Sequence, residues 1–214
     1  MIHDGVFSHL PATGVLLASA SPRRVQLLEQ MGLRAVSAPM EIDESIRSGE
    51  DPGEYVARMS TSKCRAALEH GAIWLQERPT ERVLLAADTI VVAGGAILGK
   101  PASDRAAADM LRSLSNTTHQ VMTSVTAHAG VARQSVLSVA KVRFKSLTEQ
   151  DIAAYVDSGE GRDKAGGYGI QGIGGIFVEH ISGSYSAVVG LPIAAVEQLL
   201  VDLGIDTWRL RGYG

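Results

Sequence analysis

The segment Arg82 to Ala93 is an apolar run broken inside only by Asp88 and Thr89, and Gly94-Gly95 then supplies a two-residue turn into Ala96-Ile97-Leu98. Such a run is stable only inside a core, so it predicts a buried hairpin. An ionised carboxylate in those surroundings needs a cation, a metal ion or several N–H donors. Asp88 is therefore the leading catalytic candidate, the plainer alternative being a carboxylate at a strand end bonded to local amides. Thr89 is ambiguous, because β-branched residues are ordinary in strands.

A second strained feature lies upstream. Val15 to Ala18 reads as a buried strand, followed by a helix with Ser21 at the N-cap, Pro22 at the first helical position, Leu27, Leu28 and Met31 at helical spacing, and Gly32 as the stop. Arg23 and Arg24 fall in its first turn, where the helix field repels cations at a cost of about a few tenths of a kcal/mol each. A phosphate would satisfy both arginines and the unpaired amides together. The alternative places the arginines in solvent or against surface carboxylates.

Arg34 to Met40 reads as a second extended segment, followed by an acidic loop with Glu41, Asp43 and Glu44. Asp51-Pro52-Gly53-Glu54 forms a capping box that opens a helix through Val56, Met59, Ala67 and Leu68 to Gly71, carrying Lys63. Ser103-Asp104 starts a helix through Met110, Leu111 and Leu114; Thr118 to His128 and Gln134 to Phe144 read as strands; Thr148 to Asp151 caps another helix. A glycine-dense loop from Gly159 to Gly175 precedes a strand Ile176 to Ile181 and a helix Pro192 to Leu203 stopped by Gly204. Strands and helices alternate, but a hairpin and adjacent strands interrupt a strict βαβ rhythm. The expected class is α/β, a mixed sheet with flanking helices.

The 214 residues suffice for one large domain or two lobes. A net charge of -3 argues against a protein whose main work is coating nucleic acid or an anionic membrane. The single cysteine, Cys64, excludes an intrachain disulfide and a cysteine-based zinc cluster and reads as helix packing. Neither a signal peptide nor a membrane span is recognised, so a cytoplasmic protein is expected.

Several motifs fail on context. Gly94 to Pro101 nearly spells a phosphate-binding loop, but Pro101 stands where the magnesium-holding Ser/Thr belongs. Gly167 to Gly172 matches GxGxxG without a preceding strand or a following helix, so it reads as a tight loop in which Gln171 offers an amide to a base edge. The six histidines show no metal-ligand or esterase spacing. Lys63 and Lys100 are placed to reach phosphate, though either could be solvated. Glu44 and Asp88 would suit Mg²⁺ or Mn²⁺, the alternative for Glu41, Asp43 and Glu44 being a hydrated loop.

The strings SASPRR (Ser19 to Arg24), AADT (Ala86 to Thr89), LGKP (Leu98 to Pro101), DKAGGYGIQG (Asp163 to Gly172) and GSYSAVVGLP (Gly183 to Pro192) together resemble the Maf family of nucleoside triphosphate pyrophosphatases. The resemblance implies two lobes around a deep cleft, an architecture shared with inosine triphosphate pyrophosphatases. It also implies cytosolic housecleaning hydrolysis of a nucleoside triphosphate to the monophosphate and pyrophosphate with a divalent metal, and a homodimer. On these motifs Asp88 is the expected proton acceptor, Glu44 with Asp88 the metal-binding pair, and Ser19, Ser21, Arg24, Lys63 and Lys100 the phosphate cradle. Arg23, Thr89 and Gln171 match the family's dTTP/UTP-directed branch. Alternatives are the branch similar to 7-methyl-GTP pyrophosphatases, which usually has an aromatic residue, glutamine and glutamate there, and a nucleotide-binding regulator of cell division or septum formation. The expected layout is an extension over 1–14, one catalytic domain over 15–207 and a tail over 208–214.

Overall fold

The computed structural model describes residues 13–78 and 80–213, and the side chains of residues 71–73 are not described. Most of the 1–14 extension thus lies outside the described residues, whereas Gly14 already opens the first strand. The chain divides into two compact units, one built from residues up to Asp88, Ser124–Leu137 and the chain from Gly190 onward, the other from Thr89–Thr123 and Ser138–Val189.

In the first unit β1 (Gly14–Leu17) and β2 (Ala35–Ser37) flank the connecting helix α1 (Pro22–Gln30). β1 pairs in parallel with β2, Val15 facing Ala35, and in parallel with the start of β3 (Arg82–Ala93), Val15 facing Val83. Parallel pairing requires a crossover, which α1 supplies between β1 and β2. Helix α2 (Pro52–Glu77) starts at the capping box, with Asp51 Oδ1 accepting from Gly53 N at 2.7 Å and Glu54 Oε2 from Asp51 N at 3.3 Å. The core gathers Leu16, Ala18, Met40, Cys64, Ala67, Trp74, Leu75, Leu84 and Ala86. Burial pushes the Cys64 thiol up to about 11, as befits a packing residue.

In the second unit β3 turns through Gly94 (φ 57°) and Gly95 (φ 82°) into β4 (Ala96–Leu98), antiparallel with Val92 facing Ile97. Positive φ at both turn residues is what a two-residue hairpin with native twist demands. Helix α3 (Asp104–Leu114) is capped by Ser103 Oγ, which accepts from Ala106 N at 3.2 Å. Helix α4 (Glu149–Ser158) is capped by Thr148 Oγ1, which accepts from Asp151 N at 3.1 Å. Strands β5 (Thr118–Ala129) and β6 (Ala132–Phe144), whose Ser124–Leu137 portion belongs to the first unit, and β7 (Val178–Ser182) follow, β6 and β7 being antiparallel. The core holds Val91, Leu111, Leu114, Val121, Phe144, Ile152, Tyr155, Tyr168 and Phe177.

Together the described strands form a seven-stranded mixed sheet of order β2-β1-β3-β5-β6-β7, with β4 paired to β3 off that path. Helices α5 (Tyr185–Val189), α6 (Ile193–Asp202) and α7 (Thr207–Leu210) complete the described elements. Among the described residues, no helix is long and apolar enough to cross a membrane.

Several elements differ in their bounds from the sequence reading. Helix α2 does not stop at Gly71 but runs on to Glu77. Burying Trp74 and Leu75 yields about 2 kcal/mol each, which outweighs the roughly 1 kcal/mol cost of an interior glycine. Strand β7 begins at Val178, since Ile176 and Phe177 belong to a 3₁₀ turn over Ile173–Phe177. Residues Trp208 to Leu210 lie in α7, and Arg211 beyond them donates from Nε to Met31 O at 2.7 Å, satisfying a carbonyl just past the end of α1.

Candidate active site

Asp88 lies where the burial of β3 relents inside the strand, partly exposed together with Thr89 while residues on both sides are buried. Lys63 reaches it from α2, its Nζ lying 2.7 Å from Asp88 Oδ1 and 2.8 Å from Glu44 Oε1. One ammonium therefore holds two carboxylates, and the three groups together keep a net negative charge. The Lys63 and Asp88 side chains are mostly covered, at 14% and 16% exposure, whereas that of Glu44 is 58% exposed.

Two contacts fix this arrangement. Ser60, one turn before Lys63 on α2, is fully buried and sits 2.8 Å from Ser124 Oγ and 3.0 Å from Thr126 Oγ1 on β5. This hydroxyl cluster seats α2 on the sheet, because a buried hydroxyl that lost its partners would cost about 1–3 kcal/mol. Tyr55 Oη donates to the backbone carbonyl of Glu44 at 2.9 Å and ties the acidic loop to the same helix. Burial first, and then the charges of Asp88 and Glu44, push the Tyr55 hydroxyl up, so it remains a donor.

Arg24 is buried, not solvated. Its Nη1 donates to Ser19 Oγ at 2.9 Å and its Nε to Gly190 O at 2.9 Å. Burial lowers its pKa, opposed by the charges of Asp88 and Glu44, while neighbouring Arg23 lowers it further. Arg24 thus stands in the electrostatic field of the carboxylate pair. Ser21 occupies the N-cap, but its hydroxyl makes no capping bond. Instead Ser19 Oγ accepts from Ser21 N at 3.2 Å as well as from Arg24. With both acceptor positions taken, the Ser19 hydroxyl proton is left to donate, which suits an anionic guest.

Thr89, Lys100 and Gln171 belong to the second unit. Thr123 Oγ1 donates to Ala187 O at 2.8 Å, so at the 2.9 Å contact between the two threonines Thr89 must be the donor. Lys100 is exposed directly after β4, and the preceding Gly99 O accepts from Gly166 N at 3.0 Å, bringing the lysine's loop beside the glycine-dense loop. Gln171 is exposed within that loop.

The family model described as Maf-like protein matches residues 14–203 of this chain. The chain belongs to the Maf family. Maf relatives named dTTP/UTP pyrophosphatase include those of Hahella chejuensis, 45% identical over 194 residues covering 91% of this chain and 94% of the relative, and Pasteurella multocida, 46% identical over 192 residues covering 89% and 96%. A third, from Neisseria meningitidis serogroup B, is 44% identical over 190 residues covering 88% and 93%.

Sequence reasoning on this Maf chain missed Tyr55, Ser37 and Gly190, which act on the site through backbone contacts. Ser37 Oγ donates to Ser19 O at 2.5 Å, and Gly190 contributes only its carbonyl to Arg24. Gly190 lies in the GSYSAVVGLP string, but a carbonyl acceptor leaves no residue-type signature. Among the described residues, no group of three or more His, Cys, Asp or Glu side chains gathers as a ligand set. Glu44 and Asp88 are two carboxylates sharing one lysine, a donor set that fits a magnesium-type ion completed by water and substrate phosphate.

Proposed function

We propose that this protein is a housecleaning nucleoside triphosphate pyrophosphatase acting on dTTP and UTP, releasing the nucleoside monophosphate and pyrophosphate. The observation that carries the reading is the single ammonium of Lys63 bridging Asp88 and Glu44, with buried Arg24 in the field of the same carboxylates. The names of its Maf relatives support the choice of substrate.

The reaction adds water across the α–β phosphoanhydride. A water oxygen forms a bond to the α-phosphorus, the bond from that phosphorus to the bridging oxygen breaks, and the electron pair leaves with pyrophosphate. Asp88 orients the water and accepts its proton. Arg24 and Lys63 offset the negative charge that develops on the phosphoryl oxygens, and the Ser19 hydroxyl donates to one of them. Ser21 and Lys100 are the further phosphate-binding residues of this reading. Glu44 and Asp88 would hold Mg²⁺ or Mn²⁺, which when bound polarises phosphate oxygens and neutralises charge. Arg23, Thr89 and Gln171 select the base.

The protein acts in the cytoplasm as a homodimer with one catalytic domain over residues 15–207; sedimentation tests the dimer. The deciding experiment incubates the protein with a panel of dTTP, UTP, CTP, GTP and ITP in the presence of Mg²⁺ and identifies the products. Pyrophosphate and monophosphate from dTTP and UTP, abolished by EDTA and restored by Mg²⁺ or Mn²⁺, are expected. Orthophosphate release, or nucleotide binding without turnover, would overturn the assignment.

A further inference from the structure

The glycine-dense loop is held from behind by two side chains that carry no role in the mechanism above. Glu160 Oε2 accepts from Ile173 N at 2.7 Å, and Glu160 Oε1 accepts from Gly174 N at 3.0 Å and from Tyr155 Oη at 3.0 Å. Tyr155 Oη in turn accepts from Gly169 N at 2.9 Å. Both ends of the segment Gly169–Gly174 are thereby clamped to one acid–phenol pair, and exposed Gln171 lies between the clamped points.

The glycines of this segment make the clamp possible. A Cβ on Gly172 would sit 2.2 Å from Glu160 Oε2, and one on Gly174 would sit 2.8 Å from Gly169 O and 2.9 Å from Tyr155 Oη. These glycines are thus accounted for by the close approach of the carboxylate and of the loop to itself. Burial works against the Glu160 charge, but the amides of Gly174 and Ile173 and the Tyr155 hydroxyl outweigh it and hold the carboxyl below its ordinary range. Tyr155 is buried against Phe177, with ring centroids 5.0 Å apart, so the clamp is anchored in the core of its unit.

A side chain that reads a base edge by hydrogen bonds must be held in place before the ligand arrives, since a loop ordered only on binding spends interaction energy on its own ordering. We propose that Glu160, backed by Tyr155, is the positioning residue that presents the Gln171 amide to the pyrimidine base and so sets the preference for uracil and thymine nucleotides. This rests on the reading of Gln171 as a specificity residue. Glu160 touches no substrate; it acts through the loop.

The test measures kcat and KM for UTP and CTP in the wild type, Gln171→Ala, Glu160→Gln, Tyr155→Phe and the Glu160→Gln/Gln171→Ala double variant, with hydrogen exchange of the Gly169, Ile173 and Gly174 amides. A glutamine at 160 turns an N–H group toward backbone donors and must release at least one of them. Expected is a loss of the UTP-over-CTP preference by about tenfold in Gln171→Ala. A similar loss in Glu160→Gln should appear mainly in KM for UTP, with faster exchange at Ile173 and Gly174, and the double variant should lose no more than Gln171→Ala alone. Tyr155→Phe should speed exchange at Gly169 and lower the preference, which carries the test if Glu160→Gln does not fold. The proposal is overturned if Glu160→Gln frees the amides yet keeps the preference, or if the losses multiply in the double variant. Retained preference in Gln171→Ala with UTP still hydrolysed would remove Gln171 from base selection, and this proposal with it, while leaving the pyrophosphatase assignment standing.

Discussion

The Nζ of Lys63 lies 2.7 Å from Asp88 Oδ1, and the same nitrogen lies 2.8 Å from Oε1 of Glu44. The two carboxylates thus share one ammonium, which offsets part of their mutual repulsion. A polyphosphate with its counterion would enter this field by exchanging partners without creating new buried charge.

Lys63→Met keeps the length of the side chain and removes its charge, leaving Asp88 and Glu44 to repel each other. We expect kcat/KM for UTP to fall by about 100-fold and stability to drop by about 1–2 kcal/mol, the latter limited by the exposure of Glu44. Steady-state kinetics and thermal unfolding check both.

Asp88→Asn is nearly isosteric and keeps an acceptor for Lys63, so the variant should fold with a melting temperature close to the wild type. Its amide cannot accept the water's proton, and kcat should fall by at least about 100-fold. A rate near wild type would remove Asp88 from the mechanism.

Arg24→Lys preserves the charge but not the fork. The guanidinium donates from two nitrogens to Ser19 Oγ and Gly190 O, a geometry an ammonium on a flexible stem does not reproduce. A rise in KM of about tenfold and a stability loss of about 1–3 kcal/mol are expected, measured by kinetics and denaturant unfolding.

His119 gives the protein an acid-sensitive core. The side chain is 1% exposed, with Nε2 2.8 Å from Tyr168 Oη, and burial lowers its pKa to about 4. Between the ordinary histidine value of about 6.5 and this lowered value the unfolded chain binds the extra proton. Its contribution is therefore fully present above about pH 6.5 and is lost as pH falls toward 4, amounting to about 3 kcal/mol over that window. His119→Gln should flatten the decline in melting temperature between pH 6.5 and pH 4.5; an unchanged slope would refute the assignment.

Local chemistry was legible in the chain. The starts of α2, α3 and α4 follow from Asp51, Ser103 and Thr148, because a cap bonds an amide two or three residues away and needs nothing else. The β3–β4 hairpin follows from Gly94-Gly95 for the same reason. The end of α2 was not legible, since Trp74 and Leu75 extend the helix past Gly71 only because a core is present to receive them. The glycine loop was readable as a loop, but its attachment to Glu160 was not, because the contacting groups are backbone amides that every residue possesses.

By itself the sequence determined the α/β mixed-sheet class, the isolated charge of Asp88 in an apolar strand and the two arginines at a helix start, all properties of neighbours along the chain. Only the tertiary structure decided that Lys63 serves Glu44 and Asp88 together and that Arg24 turns inward to a carbonyl 166 residues away. The physical reason is separation: short-range hydrogen bonds are fixed by local pattern, whereas the meeting of distant charges depends on how the helices pack against the sheet.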